Sequence, residues 1–208
     1  MVYVLLAIDT SAGTSVAVVD RDAGVLAEHS STDTRKHAEV IGDLIAACLN
    51  DSGVAVTALS GVAIGMGPGP FTGLRVGIAA ARAFAFGAGK LVVPIVSHDA
   101  IAFGTTEPIL VVTDARRREV YWSTYAASDE SGLPVVTGGP ALCRPDELET
   151  VVPDFGAYRR VDATEVSASS VGLLAESLFV NKRPFADDTT LYLRSPDIRL
   201  SSGPKRVS

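Results

Sequence analysis

The sequence predicts an α/β fold built as two related lobes, and three observations predict it. An apolar strand ends at Asp9 and turns through Thr10-Ser11-Ala12-Gly13 into a second strand. The same order, an apolar strand ending at Asp114, a polar turn and a further strand, returns roughly half a chain later, which is what an internal duplication leaves behind. Between them, the segment GMGPGPFTGLRVGIAAARAFAF from Gly65 to Phe86 joins an interior strand to a helix that is apolar over most of its circumference.

Taken in order, Val2 to Ile8, Thr14 to Val19 and Gly24 to Ser30 read as three strands separated by turn residues. Val40, Ile41, Leu44, Ile45 and Cys48 recur at helical spacing, so a helix starts near His37 and stops at Asn50-Asp51-Ser52-Gly53. Gly61-Val62-Ala63-Ile64 is a short interior strand, and Gly67-Pro68-Gly69-Pro70 then fixes a turn that no regular element can occupy. Thr72 is placed to cap the next helix. Leu74, Ile78, Ala81 and Ala85 form one apolar face of it, Gly73, Gly77, Ala80 and Phe84 a second, and Arg75 and Arg82 a polar side. A buried strand from Leu91 to Ile95 closes the first half. Strands from Ile109 to Thr113, from Glu119 to Tyr125 and near Val135, a short helix over Pro145 to Thr150 and a helix from Ser169 to Phe179 make a weaker copy. Three antiparallel strands, crossover helices and parallel strands in each lobe fit this order. The expected division is a lobe over residues 1–104 carrying the pairing helices, a smaller lobe over 105–194, and a disordered tail over 195–208.

A chain of 208 residues, 47% of them hydrophobic, can bury real cores without staples. Its formal charge of −6 argues against gripping a nucleic-acid backbone unaided, because phosphate contacts need a concentrated positive field. Cys48 and Cys143 have no metal-ligand spacing and read as buried thiols in a reducing cytoplasm. The first residues lack a basic region and meet Asp9 too early for a signal peptide, and Gly and Pro interrupt the uncharged run from Ser52 to Leu74, so no membrane span is expected.

A helix apolar on several sides either sits inside one large core or wants a partner for its second face. The small residues of that face favour a partner, and the expected pairing surface is His37, Val40, Ile41, Leu44 and Ile45 with Gly73, Gly77, Ala80 and Phe84. Asp9 and Ser11 are candidate nucleotide contacts, since backbone amides in such a turn point at anions. The competing reading is that the two side chains satisfy the turn's own amides. Arg116 and Arg117 are candidate contacts to nucleotide or RNA, although a short charged run is commonly only a solvated turn. The glycine-rich loop lacks the Lys-Ser/Thr pair of a P-loop, Gly87-Ala88-Gly89-Lys90 is followed by Leu91, and no nucleophile elbow occurs.

Ile8-Asp9-Thr10-Ser11, His37-Ala38-Glu39, the block from Gly67 to Gly77, Asp114-Ala115-Arg116-Arg117, Glu119-Val120-Tyr121 and Tyr192-Leu193-Arg194 together resemble the TsaB (YeaZ) family. The resemblance spans nearly the whole chain; Arg118 departs from it, standing where a small or polar residue is expected. It implies an actin-like (ASKHA, RNase H-like) duplicated two-lobe fold, of the kind shared by sugar kinases and heat-shock ATPases. It further implies a cytoplasmic accessory subunit for making threonylcarbamoyladenosine beside the tRNA anticodon. Its implied partners are TsaD in a heterodimer, TsaE and a second copy of itself, with tRNA met only through the complex and any ATP or ADP confined to that assembly. TsaD-type relatives hold a metal through two His spaced H-x-x-x-H, whereas here Ala102 stands four residues after His98. No metal, cofactor or catalytic residue is therefore expected in this chain. The alternatives are an independent actin-like ATPase and a degenerate metallopeptidase-like enzyme.

Overall fold

The computed structural model describes residues 3–194, so the tail expected over 195–208 lies outside the described residues. The first sheet contains β1 (Val4–Asp9), β2 (Thr14–Asp20), β3 (Gly24–Ser31), β4 (Gly61–Gly65) and β5 (Leu91–Ile95) in the order β3-β2-β1-β4-β5. β1, β2 and β3 form an antiparallel meander, and β4 and β5 run parallel to β1. Every residue of β1 and β2 is buried, as in a sheet covered on both faces. Leu6, Ile8, Val16, Val18, Val62 and Ile64 meet helices α1 (His37–Ser52) and α2 (Phe71–Ala88) on one face. Gly53, with φ of 65°, ends α1 in the left-handed conformation that glycine adopts at least cost.

The second sheet follows α3 (Ser97–Ala102) and contains β6 (Ile109–Asp114), β7 (Val120–Ala126) and β8 (Val135–Cys143). Its last strand, β9 (Arg159–Ala163), follows the short helix α4 (Leu148–Val151). The order is β8-β7-β6-β9, with β9 parallel to β6 and the other pairs antiparallel. Each sheet is thus a three-stranded meander extended by a parallel strand beside its first member, and the whole is the α/β, actin-like arrangement expected.

Four expectations change. Helix α5 (Ala168–Val180), read as part of the second copy, packs instead on the free face of the first sheet against Leu5, Ala7, Ala17, Val19 and Ala63. The alanines let it approach closely, and a Cβ on Gly172 would lie 2.6 Å from a methyl of Val19. Strand β9 went unread because Arg-Arg-Val-Asp-Ala is mostly charged; as an edge strand it turns only Val161 toward the core and leaves its charges in water. β5 is the other sheet's edge, so Leu91, expected inside, is 80% exposed. Thr72 does not cap α2: the helix begins at Phe71, its cap position is Pro70, and proline's own φ of −61° sets the entry.

Candidate functional site

The ends of β1 and of β6 face one another across a cleft of about 820 Å³. Ser11, Thr34, His37 and Gly73 line one wall, and Asp114, Arg116 and Asp162 the other. The site is built at the carboxyl ends of parallel strands, where open α/β sheets leave a crevice.

Asp9, at the end of β1, does not reach this cleft. Its Oδ1 accepts from the Ser11 amide (2.7 Å) and the Ser11 hydroxyl (2.6 Å), and its Oδ2 from the Ser97 hydroxyl (2.6 Å). A Cβ on Gly65 would overlap Oδ2, and one on Gly69 would lie 2.8 Å from the Ser11 Cα. The Gly-Pro loop is therefore glycine-rich so that its backbone can lie directly on the Asp9 turn. The competing reading of Asp9, a carboxylate that satisfies its own turn, matches these bonds, and a metal-bound nucleotide would have to displace all three.

Burial pushes the Asp9 carboxyl above its ordinary range, against the lowering by its three hydrogen bonds. A carboxyl raised in the fold favours folding most below its unfolded pKa and loses that contribution as pH rises through the folded value. Asp9→Asn keeps an acceptor oxygen for the two Ser11 bonds and turns an NH2 donor toward the Ser97 hydroxyl oxygen, without a charge. We expect it to fold with stability within about 1 kcal/mol of the parent at neutral pH and to lack the parent's decline across that acidic window, as read by urea melts at several pH values.

Other family-like residues do converge. Thr10 Oγ1 donates to the Gly73 carbonyl (2.8 Å), and His37 Nδ1 lies 2.7 Å from Thr14 Oγ1. Burial, and then the positive charge of Arg116, lowers the His37 pKa and keeps the ring neutral. Arg116 crosses the cleft to bond Thr34, its amide donates to Asp114 Oδ1 (2.9 Å), and Arg194 holds both Glu119 and the Ala115 carbonyl. Arg116, Arg117 and Arg118 have φ of 65°, 54° and 64°, three successive left-handed residues without a glycine among them. Such strain persists only where surrounding bonds over-determine it. Tyr121 donates to the Gly69 carbonyl (3.2 Å), and the Tyr192 ring packs on Phe71 at 5.0 Å, tilted by 45°, so both blocks meet at the loop before α2. Arg117 lines the smaller pocket beside these rings, of about 390 Å³, rather than the main cleft.

The expected pairing surface is only partly open. Gly73 and Gly77 face inward: a Cβ on Gly73 would lie 2.6 Å from the Thr10 carbonyl, and one on Gly77 would overlap the Thr10 hydroxyl. His37 and Ile41 are buried, and Leu44, Ile45, Ala80 and Phe84 are half-buried against the chain's own core, with Val40 half-buried as well. The exposed residues of α1 include Ala38, Gly42 and Ala46 together with Glu39 and Asp43, and those of α2 include Ala79 and Ala83 together with Arg75, Arg82 and Phe86. The signal that could have shown this is the i, i+4 glycine pair, which requires something directly opposite; the sequence offers a partner helix or the Thr10 turn, and the turn is what stands there.

His98 sits at the second position of α3, wholly buried, with Nδ1 2.8 Å from Ser123 Oγ and Nε2 2.9 Å from Thr113 Oγ1. Both nitrogens are engaged and burial holds the pKa down at about 3, so the ring is a neutral strut between α3 and the second sheet. Among the described residues no group of three or more His, Cys, Asp and Glu is placed to hold a metal, and no helix is long and apolar enough to cross a membrane.

Residues 15–156 match the family model for TsaD, tRNA N6-adenosine threonylcarbamoyltransferase. An uncharacterised protein of Mycobacterium tuberculosis is 38% identical over 204 residues, covering 94% of this chain and 93% of that one. The tRNA threonylcarbamoyladenosine biosynthesis protein TsaB of Escherichia coli is 33% identical over 134 residues, 62% of this chain and 57% of its own length. The solved structure of YeaZ from Pseudomonas aeruginosa superimposes with a TM-score of 0.72 at 25% identity, over 86% of this chain and 93% of that one. The chain belongs to the TsaB (YeaZ) family. His98 is committed to the hydroxyls of Ser123 and Thr113, and Ala102 stands four residues after it.

Proposed function

We propose that this chain is a non-catalytic subunit that docks its α1–α2 face on the transferase TsaD and holds it in the form competent to place threonylcarbamoyl on the adenosine next to the tRNA anticodon. The observation that carries the reading is the exposed small residues of α1 and α2, Ala38, Gly42 and Ala46 with Ala79 and Ala83, beside a cleft that Asp9 does not reach because its carboxylate is spent on Ser11 and Ser97. Alanine and glycine stripes let helix backbones approach closely, so two such helices can meet two others in a four-helix contact. A second copy of this chain can use the same face, which makes homodimer and heterodimer alternatives. A subunit of this kind sets the rate by shifting its partner's population, with no bond made or broken on its own residues. TsaE and ATP or ADP belong to the assembly, and tRNA is met through it.

The test is reconstitution from purified TsaD, TsaE, tRNA and threonylcarbamoyl-adenylate with and without this chain. Modified tRNA should form only with it, and the chain alone should turn over no ATP. ATP turnover by the isolated chain that Asp9→Asn abolishes would instead establish an independent actin-like ATPase.

A further inference from the structure

On the face of the first sheet opposite α1 and α2, and at the end opposite the cleft, lies a second cavity, of about 190 Å³. It opens between the starts of β1, β4 and β5 and the last turn of α5, and its walls are Leu5, Leu91, Val93, Phe179 and Phe185. Glu176, one helical turn beyond Gly172 and so on the sheet-facing side of α5, lines it. The Glu176 side chain belongs to a residue only 6% exposed, and neither of its carboxylate oxygens has a hydrogen-bond partner among the described residues. A buried carboxylate left without donors is costly, and one kept in an apolar wall calls for a donor from elsewhere.

The surroundings say what kind of donor. The charged groups facing Glu176 are Asp20, Asp22 and Arg21 from the β2–β3 turn, two acids against one base, of which Arg21 also lines the cavity without bonding Glu176; the lining supplied by β1, β4, β5 and the segment after α5 carries no charge. Burial first, and the two aspartates after it, push the Glu176 carboxyl up to about 7. The site therefore favours a cation, and two unpartnered oxygens on one carboxylate match the parallel N–H pair of a guanidinium better than the single point charge of an ammonium. The cavity is smaller than those that engulf small-molecule ligands, at roughly 300 Å³ and above, and suits one long side chain. Its rim is a patch of large apolar residues standing in water, with Leu91 80%, Phe179 52% and Val180 40% exposed, the mark of a protein-docking surface.

We infer that this cavity receives an arginine side chain of a partner polypeptide, its guanidinium paired with Glu176 and its apolar neighbours seated on Leu91, Phe179 and Phe185. Because α1 and α2 lie across the sheet, this contact and the pairing face can be occupied at once, and the inference stands whether or not that face binds TsaD.

The full chain titrated with acetyl-Leu-Arg-Leu-amide, followed by amide chemical shifts, tests it. Shifts are expected around Leu5, Leu91 and Glu176, with the citrulline analogue, isosteric but uncharged, binding about tenfold more weakly or worse. Glu176→Gln, which keeps the shape of the side chain, should lose the same factor while its thermal melt shows an intact fold. The lysine analogue should fall between. Equal binding of the arginine and citrulline peptides, or full affinity in a folded Glu176→Gln chain, overturns the proposal. Binding seen only after Arg21→Ala overturns it too, since the chain's own Arg21 would then be the occupant.

Discussion

Gly77→Leu is expected to cripple the fold of the isolated chain, before any partner is considered. The Cβ alone would overlap the Thr10 hydroxyl, and the three further carbons have only the β1–β2 turn and the Gly73 carbonyl bonded to it to push against. Overpacking a closed contact costs about 1 to 3 kcal/mol and sometimes more. Here the upper end applies, because the Thr10 side chain that must move is short, buried and bonded to the Gly73 carbonyl. In a chain of this size that lowers the melting temperature by about 10 °C. A calorimetric scan of the monomeric variant decides it. A melt unchanged from the parent would return Gly77 to the outer surface and to the partner.

The second large effect belongs to association. Ala46→Glu combined with Ala83→Glu places a carboxylate on each exposed stripe where nothing of the chain's own is packed. Surface changes of this kind cost a fold within about 0.5 kcal/mol, so the melt should stay put. Two uncompensated charges in a close helix contact, each losing its water without a partner, should weaken pairing at least a hundredfold. Size-exclusion mass measurement of the chain alone and with TsaD reads this directly. Retained assembly at micromolar protein would show that the small-residue stripes are ordinary solvent faces.

The two variants separate what the sequence makes legible from what it does not. The strands of the first sheet were readable because β1 and β2 hold the apolar runs Val4 to Ile8 and Val16 to Val19, and that is how strands covered on both faces read. The repeat of strand, Asp and turn gave the second sheet. The direction of a glycine face was not readable, because a residue without a side chain records that something is close and not what it is; Thr10 is sixty-seven positions from Gly77 in the chain and touches it only once β1 and α2 are folded. Strand β9 was hidden for the opposite reason, its Arg159, Arg160 and Asp162 meeting ion-pair partners in water instead of a core. At the site, the family-like residues converge as blocks, but Asp9 and Asp114, which look equivalent as strand-end carboxylates, part company through burial: Asp9 is enclosed and Asp114 exposed. Glu176 gave no signal at all, since a glutamate on an amphipathic helix looks solvated until the sheet beneath it is in place.

The position of α5 has a consequence for the order in which the chain can be made. The first sheet is complete in sequence by Ile95, yet the wall of Leu5, Ala7, Ala17, Val19 and Ala63 is closed only by a helix that begins at Ala168, whose first turn is pinned by the Ala168 amide to Ser15 and by the Ser167 and Ser169 groups to Glu28. During synthesis the leading half therefore waits, with one oily side bare, until nearly the last helix has left the ribosome. Domains that mature in the order of translation do not carry this debt of exposure, and this one stays open to chaperones for most of its synthesis. Nascent chains arrested after residue 104 should be cut readily by protease across β1 and β2, and chains released past Val180 should resist.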